Sequence, residues 1–187
     1  MNVKFFTGLA IAALLSACGG SSDHTQGPQG TWSTECIDSS NSTYIFDREI
    51  TLNTELYSDE NCTEALLSLA YKFNAVYDSE SKITSSGVKA LKVSLTLASE
   101  IMLTLGNSDF VESYNILCPQ QNWVVNQATS IKECDDFAYI FEDLETTLPM
   151  LLYIDGNHLY TSNLFFASQG DDGFPNDVSY DSTYIKQ

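Results

Sequence analysis

Residues 88–105 read VKALKVSLTLASEIMLTL, and their alternation is the strongest constraint on the fold. The odd positions Leu91, Val93, Leu95, Leu97, Ile101, Leu103 and Leu105 are apolar, and only Ser99 interrupts them. The even positions carry Lys92, Ser94, Thr96, Glu100 and Thr104. Successive side chains of an extended chain point to opposite faces, so this segment belongs to a sheet with one buried face. At about 3.3 Å per residue the run is too long for one ordinary strand, and a bend or bulge is expected near Ser99.

The same period runs through most of the chain. Tyr44, Phe46, Ile50, Leu52 and Leu56 share one parity, with Asp47-Arg48-Glu49 as the turn of a hairpin. Leu67, Leu69, Tyr71, Phe73, Ala75 and Tyr77 form another apolar face, followed by a turn-like SESKITSSG. Strand character resumes at Trp123–Asn126, in MLLYIDGNHLY around an Asp155-Gly156 turn, and in the terminal VSYDSTYIK. Residues 133–147 and SQGDDGFPND read as loops. One short helix is expected at NSDFVESYN, capped by Asn107 to Asp109, with Phe110, Val111 and Tyr114 turned to the body. Eight or nine short strands with one apolar face indicate an all-β sandwich or barrel.

The N-terminus has a different grammar. Lys4 precedes an apolar run from Phe5 to Leu15, then Ser16, Ala17 and Cys18. A charged start, an apolar core shorter than the roughly 18 residues of a spanning helix, and small residues before the cut make a secretory signal. Leu15-Ser16-Ala17-Cys18 also resembles the lipobox of bacterial lipoproteins, which implies a signal at 1–17 and a diacylated Cys18. It also implies a membrane partner reached through acyl chains. Gly19, rather than aspartate, implies the outer membrane. Residues 18–29 read as a Gly/Ser-rich tether and 30–187 as one domain of 158 residues, large enough for a real core.

Export organises the remaining cysteines. Cys36, Cys62, Cys118 and Cys134 form an even set in an oxidising compartment, and pairing Cys36 with Cys62 and Cys118 with Cys134 closes the two short local loops. No pair has C-x-x-C spacing and only His24 and His158 are present, so a zinc site is not expected. With all 25 acidic residues after Cys18 and Lys4 lost, the mature charge is 7 − 25 = −18, which excludes nucleic acid as a partner.

Gly30-Thr31-Trp32 resembles the G-x-W signature of lipocalin-like barrels, in which the tryptophan packs across one barrel end. GTWSTEC, YSDENC, NILCPQQNWVV, IDGNHLY and STYIKQ together resemble a family of small uncharacterised lipoproteins of Gram-negative bacteria across most of the mature chain. The resemblance implies a lipocalin-like antiparallel β-barrel of about eight strands with one short helix. Pro119 stands where the relatives tend to have glycine.

Catalytic motifs are weak. Ser79-Glu80-Ser81-Lys82 and Ser86-Gly87-Val88-Lys89 match S-x-x-K, but neither S-D-N nor K-T-G follows, and no G-x-S-x-G occurs. His158 has no identifiable nucleophile beside it. Asp171, Asp172, Asn176 and Asp177 miss the spacing of a calcium loop, and a solvated loop is expected there. The expectation is therefore a non-enzymatic lipoprotein without cofactor or metal, its barrel taking a small apolar or amphipathic ligand. The alternative is a protein-binding envelope module, such as an inhibitor or assembly factor, acting through its acidic surface and loops.

Overall fold

A computed structural model describes residues 27–137, 146–164 and 168–187. The signal, Cys18 and the tether up to residue 26 lie outside the described residues, as does the central part, 138–145, of the expected acidic loop.

Among the described residues, ten strands and one α-helix, besides a short 3-10 turn at Asp135–Phe137, follow in the order β1 (Gly30–Ser33), β2 (Ser40–Phe46), β3 (Ile50–Tyr57), β4 (Ala65–Ile83), β5 (Lys89–Leu97), β6 (Met102–Leu105), α1 (Ser108–Leu117), β7 (Ala128–Ser130), β8 (Leu148–Asp155), β9 (His158–Thr161) and β10 (Tyr184–Lys186). All pairings are antiparallel, and the order β3-β2-β1-β10-β9-β8-β5-β4 closes on itself through β3–β4. The result is an eight-stranded antiparallel β-barrel. Closure removes the free sheet edges that an open sheet would leave.

The break near Ser99 falls where the alternation stutters. β5 pairs with β4 up to Phe73↔Leu97, the ladder lapses, and β6 resumes on the same edge of β4 from Ala70↔Met102. Beyond it β7 adds outside β6. The 19-residue β4 thus serves β5 with one half and β6 with the other. Ser79–Ile83, which reads as a turn, extends β4 instead, across a register shift between Tyr77 and Ser81. Its polar side chains have partners on the outer face: Asp78 pairs with Lys92 at 2.8 Å and Lys82 with Asp172 at 2.6 Å. The actual turn is Thr84–Val88, where Gly87 takes φ +86.

Three other expectations shift. Trp123–Asn126 is not a strand: Trp123 is buried, its indole N–H donates to the Cys118 carbonyl at 3.1 Å, and Asn126 turns the chain with φ +60. The β8–β9 turn is Gly156-Asn157, one residue later than the sequence suggests, with Asp155 paired to His158. The terminal strand is confined to Tyr184–Lys186.

The inward parity of every barrel strand meets in one core that includes Trp32, Phe46, Ile50, Phe73, Val93, Leu95, Met150, Leu152 and Leu159. Strand directions define two ends. Gly30, the 47–49 turn, the 84–88 turn and the Gly156-Asn157 turn gather at one, the floor; Ser40, Tyr57, Ala65, Leu105 and Thr161 gather at the other, the mouth.

Trp32 seals the floor, donating to the Gln29 carbonyl at 3.3 Å beneath the Lys186 ammonium. Residues 27–29, read as tether, lie against this end, with Pro28 buried and Gly27 so close to the Tyr77 ring that a Cβ would overlap it. At the mouth, α1 begins at Asn107, whose side chain accepts from Phe110 N at 3.0 Å, and packs Phe110, Val111 and Tyr114 onto the core. The Cys118–Cys134 disulfide fastens the segment behind it, and Cys36–Cys62 ties the rim loops before β2 and after β3.

Residues 168–180 form a strap down the outer wall. Phe174 and Val178 cover Ala90 and Leu151, which face outward from β5 and β8 yet are fully buried. The strap is pinned by Lys82–Asp172 and by Asp177, which accepts from the hydroxyls of Ser85 and Ser86 and from Ser86 N.

Candidate functional site

The core parity changes chemistry on approaching the mouth. On β2, Phe46 and Tyr44 give way to Ser42; on β3, Ile50 and Leu52 give way to Thr54; on β9, Leu159 gives way to Thr161. Ser42 and Thr54 are direct cross-strand partners, so the switch occurs at one level of the barrel. Ser162, Asn163 and Leu164 after β9, and Ser179, Ser182 and Tyr184 around the start of β10, complete the ring. They border an open recess of about 200 Å³, with Tyr44 and Leu52 at its base.

Eight of the eleven described lining residues carry a hydroxyl and none carries a formal charge. Ser42 Oγ lies 3.4 Å from Thr54 Oγ1, and the Tyr44 hydroxyl donates to Met150 Sδ at 3.9 Å. Ser162 Oγ accepts from Leu151 N at 2.9 Å, which holds the corner after β9. Burial pushes the Tyr44 and Tyr184 hydroxyls above the usual tyrosine range, for Tyr44 with the neighbouring Tyr184 adding to it, so both stay protonated.

Beside the hydroxyls, on the same inner face, stand apolar side chains that are only partly buried: Leu67, Leu69, Tyr71, Leu97, Leu148 and Leu164. Register places Leu69 directly across from Thr54 and Tyr71 across from Leu52. Toward the floor, by contrast, Phe73, Val93, Leu152 and Leu159 are wholly inaccessible and line no space a water could enter. The mouth is therefore the part of the described interior with room, and it is amphipathic.

The residues singled out in the sequence lie elsewhere. Gly30, with φ +89, and Trp32 belong to the floor. Cys36, Cys62, Cys118 and Cys134 form the two disulfides in the expected pairing. His158 is exposed on the floor hairpin. Ser79-Lys82 lies on the outer wall with Lys82 held by Asp172, and Ser86 is engaged by Asp177. Asp172 and Asp177 are thus spent on the strap, and the side-chain oxygens of Asp172 and Asn176 both lie beside Lys82 Nζ at Gly170; among the described residues no group of His, Cys, Asp and Glu gathers as a metal site would. Cys18 lies outside the described residues. Ser42, Thr54, Thr161, Ser182 and Tyr184 were not singled out; their signal was a hydroxyl on core parity near a strand end.

No protein-family model matches this chain, and no curated protein matches it in sequence.

Proposed function

We propose that this chain is a non-enzymatic lipoprotein, anchored in the outer membrane through acyl chains on Cys18, whose barrel takes a small amphipathic molecule at its mouth. The observation that carries the ligand reading is the pairing of a hydroxyl-ringed recess with half-buried leucines on one inner face. A recess of about 200 Å³ falls below the roughly 300–1,000 Å³ of drug-sized pockets. It suits one end of a ligand, with the remainder along the leucines. The anchoring reading rests on Leu15-Ser16-Ala17-Cys18 after the apolar run, and on transfer energy, since two or more acyl chains at about 0.8 kcal/mol per methylene hold where one does not.

Two experiments test it. Radioactive palmitate labels the native chain and not Cys18→Ala; equal labelling would remove the anchor. Organic-solvent extraction of the purified protein, read by mass spectrometry, returns a bound amphiphile; an extract containing nothing beyond the anchor's own acyl groups counts against the ligand.

A second reading, a protein-binding envelope module, is favoured by one feature. Ile116 and Leu117 near the end of the mouth-side helix and Val124 and Val125 in the segment after it are exposed, Ile116 at 77 %. Loss of a captured cationic partner on replacing Ile116 and Val124 by aspartate would support it.

A further inference from the structure

We infer that the polar end of the ligand is an uncharged polyhydroxyl group, a sugar ring or glycerol-like head, and not a carboxylate, phosphate or amine. The inference rests on the ligand reading above and specifies its chemistry. Its basis is what the recess offers within a chain of net charge −17.

Hydroxyl and amide side chains each donate and accept, so a ring of them matches a partner that also does both at closely spaced positions. Thr54, Thr161, Ser182 and Tyr184 present such groups from three different segments around one space. Carboxylates and phosphates only accept, and they would enter without a cation to meet them. No described lysine or arginine lines the recess, and Lys82, Lys92 and Lys186 are held elsewhere, by Asp172, by Asp78 and over Trp32. The surrounding negative charge also repels an anion. An amine is drawn by that field, yet no described carboxylate lines the recess to receive it, and a partly desolvated ammonium without a counter-ion is costly.

Size and shape agree. About 200 Å³ corresponds to roughly seven waters at about 30 Å³ each. The Tyr44 and Tyr184 rings, 5.0 Å apart and set edge to face, with Leu52, supply an apolar base for the C–H face of such a ring. A site of buried hydrogen-bonding groups discriminates strongly against ligands that leave them unpaired.

The test measures binding to the purified full chain, by calorimetry and tryptophan fluorescence, of octyl glucoside, octanoate, octylammonium and methyl glucoside, each below its micelle concentration. Octyl glucoside is expected to bind at least tenfold more tightly than octanoate or octylammonium. Thr54→Val and Ser182→Ala, both at partly exposed positions, are each expected to weaken the glucoside by about tenfold and leave octanoate unchanged. Methyl glucoside binding as well as octyl glucoside would identify a free saccharide as the source, whereas binding of the octyl form alone would identify a glycolipid. Octanoate or octylammonium binding as tightly as the glucoside would overturn the uncharged head and leave the ligand reading intact. Binding by none of them would overturn both.

Discussion

Replacing Cys118 and Cys134 together by alanine is expected to cost more stability than replacing Cys36 and Cys62, although loop length alone ranks them the other way. The bridges span 16 and 26 residues. The chain-entropy relation then assigns about 3.1 kcal/mol to Cys118–Cys134 and about 3.5 kcal/mol to Cys36–Cys62. Burial reverses the order. Cys118 and Cys134 belong to the main core at 0 % and 1 % exposure, packed with Trp123, Ile131 and Leu105, whereas Cys36 and Cys62 are only partly covered on the rim. Deleting two buried sulfurs removes two methylene-sized groups at about 0.8 kcal/mol each, taking the first pair to about 4.7 kcal/mol. The rim loop also keeps other fastenings, since the Asp59 carboxylate accepts from the backbone N–H groups of Asn61, Thr63 and Glu64. Urea unfolding of the two double variants, followed by far-ultraviolet circular dichroism, should show the Cys118/Cys134 variant less stable by about 1 kcal/mol, or roughly 2–4 °C in Tm. If the Cys36/Cys62 variant is the weaker of the two, burial is not what sets the rank and the reasoning fails.

Three further predictions concern the wall, the junction and the strap. Phe73→Ala should cost about 3–5 kcal/mol, while Val76→Ala, 69 % exposed on the opposite parity of β4, should stay within about 0.5 kcal/mol; comparable losses in thermal unfolding would mean the register of β4 is wrong. Gly106→Ala should destabilise by about 1–3 kcal/mol, because a Cβ there would overlap the Ala65 carbonyl oxygen; an unchanged Tm would show that the β4–β6 edge yields easily. Hydrogen bonding to Lys82 holds the Asp172 carboxyl below its ordinary 3.8. Burial raises Asp177, but hydrogen bonds from Ser85 and Ser86 outweigh it and hold that group low as well. A carboxyl lowered in the folded state stabilises above its unfolded value and loses that contribution as pH falls through the folded one. Tm should therefore drop on acidification from about pH 4 downward, and Asp172→Asn with Asp177→Asn should flatten the drop; an equally steep profile in the double variant would release the strap from this role.

The barrel was legible because its alternation is strict: Leu91 to Leu105 and Tyr44 to Leu56 carry the inner face in plain view, and the stutter at Ser99 marks the break between β5 and β6. The strap was not, since its contacts join residues far apart in the chain. A trace of it existed in Met150-Leu151-Leu152, where consecutive apolar residues mean that both faces of β8 are covered. Ser79–Ile83 misled for the same reason, because Lys82, in a run that looks turn-forming, finds its partner Asp172 only after folding. The recess was hardest to see. Ser42 and Thr54 obey the core parity, and a hydroxyl there reads as a gap in a strand until the register shows two gaps side by side.

The three residues Tyr184–Lys186 lie between β1 and β9, and Trp32 pairs with Lys186 across almost the whole length of the domain. No earlier segment occupies that stave. As the polypeptide emerges N-terminus first, the β2–β3–β4–β5 meander has its neighbours at once, but the ring stays open until residue 186 arrives. Closure of the ring is thereby tied to Tyr184–Lys186, and a chain cut before residue 184 would retain most of its sheet while exposing the β1 and β9 edges to aggregation.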